Sequence, residues 1–359
     1  MNYSTRRANV VRRMRAQKVR ALLVSNPTNV YYLTGFRSSN AYLVLTDTGA
    51  ALLTDFRYEA MLRAHVATQR LSPIIMNAGL AKALGDYCPQ HRIRSLAYEA
   101  DHLTAAMLHT VQRKCRRIAW KPAKNWIGPV RDCKEPAELV EMRRAITIAQ
   151  QAFLAIKPCQ WIGLTELAAA ELLEGKIRAI GRANGLHAEH SFDSIVACGA
   201  HAAEPHHHCD ETVITGNTML KIDWGARVND YCSDLTRTLF LGTPSQEFRD
   251  IYAIVLRAQR AAIAAVRPGV PLCDVDAAAR AIITKAGFGD KFGHNTGHGI
   301  GLQVHEGSGP QKRSTAIAKP GMVFTIEPGI YLPEWGGVRI EDMVLVTSTG
   351  HRVLTSVPK

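Results

Sequence analysis

Four carboxylates stand in apolar strand-like runs, where they are costly. Asp223 ends the run Met219-Leu220-Lys221-Ile222, and Asp234 interrupts the stretch from Tyr231 to Phe240. Glu327 follows Met322-Val323-Phe324-Thr325-Ile326, and Glu341 lies between Val338 and Val346. A buried carboxylate must be neutralised or paired. Arg237 and Arg339, the cations on these runs, are too few for four acids that converge, so the missing positive charge points to divalent metal ions. Each pair of acids is separated by a turn-forming stretch, Asn229-Asp230 in one case and Pro328 to Gly337 in the other. A hairpin at each place would present two acids on one face of a sheet, which suits a dinuclear site. Taken singly, each acid reads equally well as a surface residue at a strand end.

His298 is the candidate fifth ligand. The flanking Gly297 and Gly299 let backbone and ligand approach closely, and His294 and His305 lie nearby in the chain. His206, His207 and His208 follow Pro205 as a polar group, of which His207 and His208 are read as structural. Other chemistries lack their signatures. His305-Glu306 is not followed by the second histidine of HExxH, and Gly297 to Gly301 lacks the third glycine of a dinucleotide loop. No G-x-S-x-G elbow or phosphate-cradling loop occurs.

Around these motifs the 359 residues fall into two parts. The first alternates strand and helix. A basic helix is expected over 6–17, a buried strand over 19–24, a turn at Asn26-Pro27 and a hairpin over 41–45 and 50–54. Helices near 57–67 and 104–114 flank a strand near 93–97, giving an α/β domain over 1–125. Pro122, Pro129 and Pro136 mark the stretch from Trp120 to Pro136 as linker-like, with the linker proper over 126–136. The second domain, 137–359, begins with helices over 138–156 and 165–180, then strands over 195–197, 219–224 and 231–241. Helices over 245–266 and 272–286 precede strands near 322–326 and 338–346. This order predicts an α+β domain of two helix-helix-strand-strand halves around an antiparallel sheet.

Composition limits the partners. The net charge of +13 belongs to the first part: residues 1–135 carry 22 Lys and Arg against 8 Asp and Glu, and residues 136–359 carry 22 against 23. No stacking-aromatic or helix-turn-helix signature accompanies the charge, so nucleic acid is not the expected partner. No stretch approaches the ~18 apolar residues of a membrane-spanning helix. The eight cysteines form no CxxC pair, and no apolar export segment follows the basic N-terminus. Both features suit reduced thiols in a cytoplasmic protein.

These stretches together resemble the pita-bread metallopeptidases of the Xaa-Pro branch, aminopeptidase P and prolidase. The likeness is carried by Asp-Trp-Gly-Ala from position 223, Ser-Asp-Leu-Thr-Arg-Thr from 233 and Gly-His-Gly-Ile-Gly-Leu-Gln-Val-His-Glu from 297. Gly-Met-Val-Phe-Thr-Ile-Glu-Pro-Gly-Ile-Tyr from 321 and Gly-Gly-Val-Arg-Ile-Glu-Asp from 336 complete it. Asn-Val-Tyr-Tyr-Leu-Thr-Gly-Phe over 29–36 resembles the creatinase-like N-terminal domain of that branch.

The resemblance implies a pita-bread catalytic domain behind a creatinase-like one, and two divalent ions. Asp223 would bind one ion, Asp234 and Glu341 would bridge both, and His298 and Glu327 would complete the set. His206, His294 and His305 match substrate-contacting and transition-state-stabilising histidines, and Arg339 matches an arginine that braces the carboxylates. The ions would acidify a water and polarise the scissile carbonyl. Glu327 would carry a proton to the leaving proline nitrogen, with His206 and His305 hydrogen-bonding the oxyanion. One nitrogen and otherwise oxygen ligands favour manganese, with cobalt or zinc as alternatives.

The expected activity is exopeptidase cleavage before a penultimate proline in peptides, or cleavage of Xaa-Pro dipeptides. In the second case Arg37 or Lys312-Arg313 could hold the free carboxylate. Proline-containing peptides are the expected substrates, and a two-fold homodimer is implied. Rival readings are an inactive scaffold, which retention of all five ligands disfavours, and a methionine aminopeptidase, which usually lacks the first domain. The sequence departs from the family pattern at Asp230, where glycine is common, and at Glu204, where a small or apolar residue is usual.

Overall fold

The short apolar runs of the first part pair as a six-stranded sheet. The computed structural model describes all 359 residues and divides into two units, Met1–Arg131 and Asp132–Lys359. In the first unit β1 (Ala21–Val24), β2 (Ala41–Thr46), β3 (Ala50–Thr54), β4 (Ser72–Ile75), β5 (Ser95–Glu99) and β6 (Ala119–Ala123) lie in the order β4-β3-β2-β1-β5-β6. Its helices are α1 (Tyr3–Ala16), α2 (Pro27–Thr34), α3 (Glu59–Gln69), α4 (Gly79–Gln90), α5 (Ala105–Lys114) and α6 (Gly128–Arg131). Central β1 is buried along its whole length, as a strand covered on both faces must be.

Two local expectations change. Asn26-Pro27 starts α2 instead of turning the chain. The Asn26 side chain accepts from the N–H groups of Thr28 and Asn29, and Pro27 takes the first helical position, where its missing N–H costs nothing. The residues from Trp120 to Ala123 are not linker but strand β6, which pairs in parallel with β5 at the sheet edge. An edge strand tolerates Pro122 because one of its sides carries no ladder.

In the second unit α7 (Pro136–Leu154) and α8 (Glu166–Ala183) pack on a core that contains Trp161 and Trp224. Helix α7 buries Met142, Ala145, Ile146, Ala149 and Phe153, the spacing of one helical face. Helices α9 (Gln246–Ala265) and α10 (Leu272–Lys285) back a second core around Phe324, Ile326 and Val344. The strands are β7 (Ala188–His190), β8 (Ile195–Cys198), β9 (Thr218–Trp224), β10 (Ala226–Val228), β11 (Tyr231–Cys232) and β12 (Leu235–Leu241) in the first half. The second half supplies β13 (Val323–Ile326), β14 (Gly329–Leu332), β15 (Gly336–Arg339), β16 (Asp342–Val346) and β17 (His351–Val353). Every strand pairing in this unit is antiparallel. No helix is long and apolar enough to cross a membrane.

Two hairpins break their ladders at the acids and then resume in the same register. The β9–β12 ladder runs from Thr218↔Leu241 to Trp224↔Leu235, and β10–β11 continues it at Arg227↔Cys232. At the break the strands come so close that a Cβ on Gly225 would lie 1.9 Å from Ser233 O. Asn229 and Asp230 close this hairpin with φ of 48° and 70°, the left-handed pair of a type I′ turn. Asp230 therefore adopts the conformation a glycine would take. In the other hairpin β13–β16 ends at Ile326↔Asp342 and β14–β15 resumes at Gly329↔Arg339. Continuing the register across the gap sets Glu327 opposite Glu341.

Candidate metal centre

The two interrupted hairpins meet side by side. Thr236 on β12 accepts from Glu341 N at 3.2 Å, and its hydroxyl donates to Glu341 Oε2 at 2.8 Å. The same hydroxyl accepts from Arg339 Nε at 3.0 Å. Asp223 pairs across the ladder with Thr236, and Asp234 lies two residues before it. The two aspartates are thus diagonal neighbours on one face, near enough for the charge of Asp223 to act on Asp234.

Backbone pairing brings in His298. Its carbonyl accepts from Thr325 N at 2.9 Å and its N–H donates to Thr325 Oγ1 at 3.1 Å. The approach requires glycine, since a Cβ on Gly297 would sit 1.9 Å from Thr325 O. Gly297→Ala is accordingly expected to push the histidine away from β13 and weaken metal binding 10- to 100-fold, the order seen when a supporting residue is lost. Calorimetric titration with Mn²⁺ measures this; unchanged affinity would contradict the packing argument.

His298 Nε2 lies 3.4 Å from Asp234 Oδ2 and 3.3 Å from Glu327 Oε1, while Nδ1 is 3.1 Å from Gly299 O. With the Nδ1 proton given to that carbonyl, Nε2 is left to bind a cation. Ligating atoms of Asp234, His298 and Glu341 all lie within 4.8 Å of one another. Asp223 and Glu327 line the same cavity, about 920 Å³ in volume, so all five expected ligands converge.

The electrostatics are unbalanced. Burial, then the neighbouring Asp223 and Glu327, push the Asp234 carboxyl well above the usual range. Burial, then Asp234 and Glu327, do the same to Glu341. Arg339, 3% exposed, donates through Nη2 to Asp223 Oδ2 and through Nη1 to Pro205 O and the Tyr331 hydroxyl. Arg237, expected as a second counter-ion, does not serve these carboxylates. Alternation along β12 turns it away from Thr236, and it pairs with Asp342 at 2.9 Å instead. Asp223 Oδ1 and Glu341 Oε1 remain buried without a hydrogen-bond partner, a state proteins rarely leave unexplained. Orphaned carboxylate oxygens around one free imidazole nitrogen form a donor set that fits hard or borderline divalent cations.

His206, His294 and His305 line the same cavity. His294 Nε2 is 2.9 Å from the Tyr331 hydroxyl and Nδ1 is 2.8 Å from Asn295 O. The His305 ring packs edge-on against His298 with centroids 4.0 Å apart. Burial lowers the pKa of both His294 and His305, and for His305 the adjacent His298 adds to it. Each is a neutral imidazole at pH 7 and can donate one N–H. His207 and His208 also line the cavity. Lys312 lines a different cavity, of about 760 Å³, with Arg280 and Asp290; Arg37 belongs to the first unit. Sequence reasoning missed Thr236 and Tyr331. The Tyr331 hydroxyl links His294 to Arg339, and burial pushes it up to about 12. Its one sequence signal is its place at the end of the run that starts at Gly321.

Comparison with known proteins agrees with this geometry. Residues 140–348 match metallopeptidase family M24, and residues 6–133 match the creatinase/prolidase N-terminal domain. The chain is 36% identical over 338 residues to the uncharacterized peptidase YqhT of Bacillus subtilis, covering 94% of each chain. Among solved structures, the Xaa-Pro dipeptidase from Bacillus anthracis superimposes with a TM-score of 0.93 at 32% identity, covering 100% of this chain and 99% of that one. The X-Pro aminopeptidase from Thermotoga maritima gives a TM-score of 0.87 at 29% identity, covering 98% of both. A cavity of four carboxylates and an imidazole, on a chain matched along nearly its whole length, thus identifies a peptidase of metallopeptidase family M24 with a creatinase/prolidase-type N-terminal domain.

Proposed function

We propose that this chain is an exopeptidase that cleaves the bond before proline, using two divalent ions held by Asp223, Asp234, His298, Glu327 and Glu341. The observation that carries this reading is the pair of buried, unpartnered oxygens, Asp223 Oδ1 and Glu341 Oε1, beside a free His298 Nε2. The names of two solved relatives, an Xaa-Pro dipeptidase and an X-Pro aminopeptidase, support the substrate class. Manganese is the first candidate, since four of the five ligands are carboxylates.

Bound there, the ions would supply Lewis acidity to the scissile carbonyl and to an attacking water. The remaining tasks fall to the chain. Glu327, oriented by the Thr325 hydroxyl at 3.1 Å, carries a proton to the leaving proline nitrogen. His305 donates its N–H to the oxyanion, and His206 does the same. His294 contacts substrate in an orientation set by Tyr331, and Arg339 holds the Asp223 carboxylate in place.

The test is hydrolysis of Gly-Pro, Gly-Pro-Ala and Gly-Ala by protein reloaded with Mn²⁺ and assayed for bound metal. Proline substrates should be preferred on the order of 10- to 100-fold, and the ratio of Gly-Pro to Gly-Pro-Ala assigns dipeptidase or aminopeptidase. A protein holding two ions that cleaves neither proline substrate would refute the reading.

A further inference from the structure

A second cluster forms around His207, the next residue after His206. Glu166, which opens α8 and is fully buried, accepts from Cys198 N at 2.7 Å, and its Oε1 lies 3.1 Å from His201 Nδ1. Its Oε2 is 2.7 Å from His207 Nε2, and His207 Nδ1 is 2.8 Å from Glu204 Oε2. An ionised carboxylate can only accept. Both ring nitrogens of His207 therefore carry protons when both contacts are made, and the ring is an imidazolium between a buried and an exposed carboxylate.

Spacing decides between a proton and a metal ion here. The ligating atoms of Glu166, His201 and His207 lie within 4.8 Å of one another, as do those of Asp234, His298 and Glu341. At the metal centre, however, the imidazole nitrogen stands 3.3 Å and 3.4 Å from its carboxylate oxygens. The 2.7 Å contact at His207 is a charge-assisted hydrogen bond.

The backbone beside His207 is held as well. Lys221 Nζ donates to the carbonyls of Ala202 and Glu204, and Arg339 Nη1 donates to Pro205 O at 3.1 Å. These anchors stop one residue short of His206. Beyond it, the hold passes to the His207 side chain.

We propose that His207, as an imidazolium clamped between Glu166 and Glu204, is a positioning residue that fixes His206 toward the metal cavity and releases it on losing its proton. The role assigned to His206 rests on the exopeptidase reading, whereas the charge state of His207 does not. Facing the ring are Glu166 from α8, Glu204 and Asp210 from its own loop, and His201, whose ring centroid is 4.4 Å away. Lys221 from β9 reaches the Glu204 carbonyl. Burial lowers the pKa of an imidazole, but the two carboxylate bonds outweigh it and hold His207 above its usual value. Because the folded value lies above the unfolded one, the clamp is complete below about pH 6.5 and is lost as pH rises through the folded value.

Glu204→Gln weakens the exposed arm of the clamp and leaves Glu166 in place. In the full chain, with the His207 signal assigned by its loss in His207→Gln, an NMR titration should place the wild-type ring above 6.5. The value should fall by about 1 in Glu204→Gln. The alkaline limb of kcat/KM for Xaa-Pro cleavage should move to lower pH by the same amount, and Glu204→Asp should restore part of it. A wild-type ring titrating at or below 6.5 overturns the clamp. A lowered ring pKa with an unmoved alkaline limb overturns the positioning role. Wild-type protein that cleaves no proline peptide removes the exopeptidase reading and the positioning role with it, while the NMR titration still decides the charge state.

Discussion

Asp234→Asn is expected to lower kcat by about 10³ or more with Mn²⁺ and, in the same variant, to raise the melting temperature of the metal-free protein. Asp234 is 4% exposed, lies within the field of Asp223 and stands 3.4 Å from His298 Nε2. An amide of the same shape offers no charge to hold a cation, and losing about 4 kcal/mol of transition-state stabilisation is a thousandfold in rate. Without metal, Asp234 is a buried acid among like charges. Replacing it relieves desolvation and repulsion together, and a gain of about 1 kcal/mol lifts the melting temperature by a few degrees. Ions that bind only the folded state should stabilise the wild type by mass action and the variant far less. Scanning calorimetry with and without a chelator, beside a steady-state assay, checks both halves. A metal-free variant that melts lower, with metal binding intact, would show that Asp234 is a structural acid.

The second large effect belongs to Arg237, which touches no candidate ligand side chain. Its guanidinium is 1% exposed and donates to Asp342 Oδ1 and to the carbonyls of Thr236, Glu341, Val357 and Pro358. Asp342 is also held by Gln259 Nε2 and the Thr355 hydroxyl, each at 2.7 Å, and by Lys359 Nζ at 2.5 Å. Arg237→Met leaves this buried aspartate with the partly exposed Lys359 ammonium as its one cation and strands several carbonyls that the guanidinium satisfied, which costs about 3 kcal/mol and on the order of 5 °C in melting temperature. Adding Asp342→Leu removes the under-compensated charge, lets the partly exposed Lys359 turn to solvent, and should recover part of the loss. Because Arg237 also holds the Glu341 carbonyl, kcat of the folded single variant should fall. A double variant no more stable than the single one would sink the buried-pair account.

The acids and His298 were readable because their signals are local. A carboxylate in an apolar run, a turn between two such runs and a histidine between two glycines each occupy one short stretch of chain. The turn at Asn229-Asp230 was legible for the same reason; that it is type I′, with aspartate where glycine is common, only the backbone showed. Local signals also misled. Asn26-Pro27 caps a helix, and the Pro122 segment is an edge strand, because the same residues serve turns, caps and edges alike. Arg237 reads as a counter-ion for the four acids until the pleat of β12 turns it toward Asp342. His207 reads as a polar loop residue until the fold brings up Glu166, 41 positions earlier.

By itself, the sequence determined which residues carry charge into apolar strands, where the chain must turn, and which positions leave no room for a side chain. The tertiary structure alone decided which charges neutralise one another and which oxygens are left without a donor. Such pairing depends on gaps of a few ångströms between strands. Thr236 meets Glu341 at 2.8 Å across 105 positions of chain, and no local pattern records a separation of that kind.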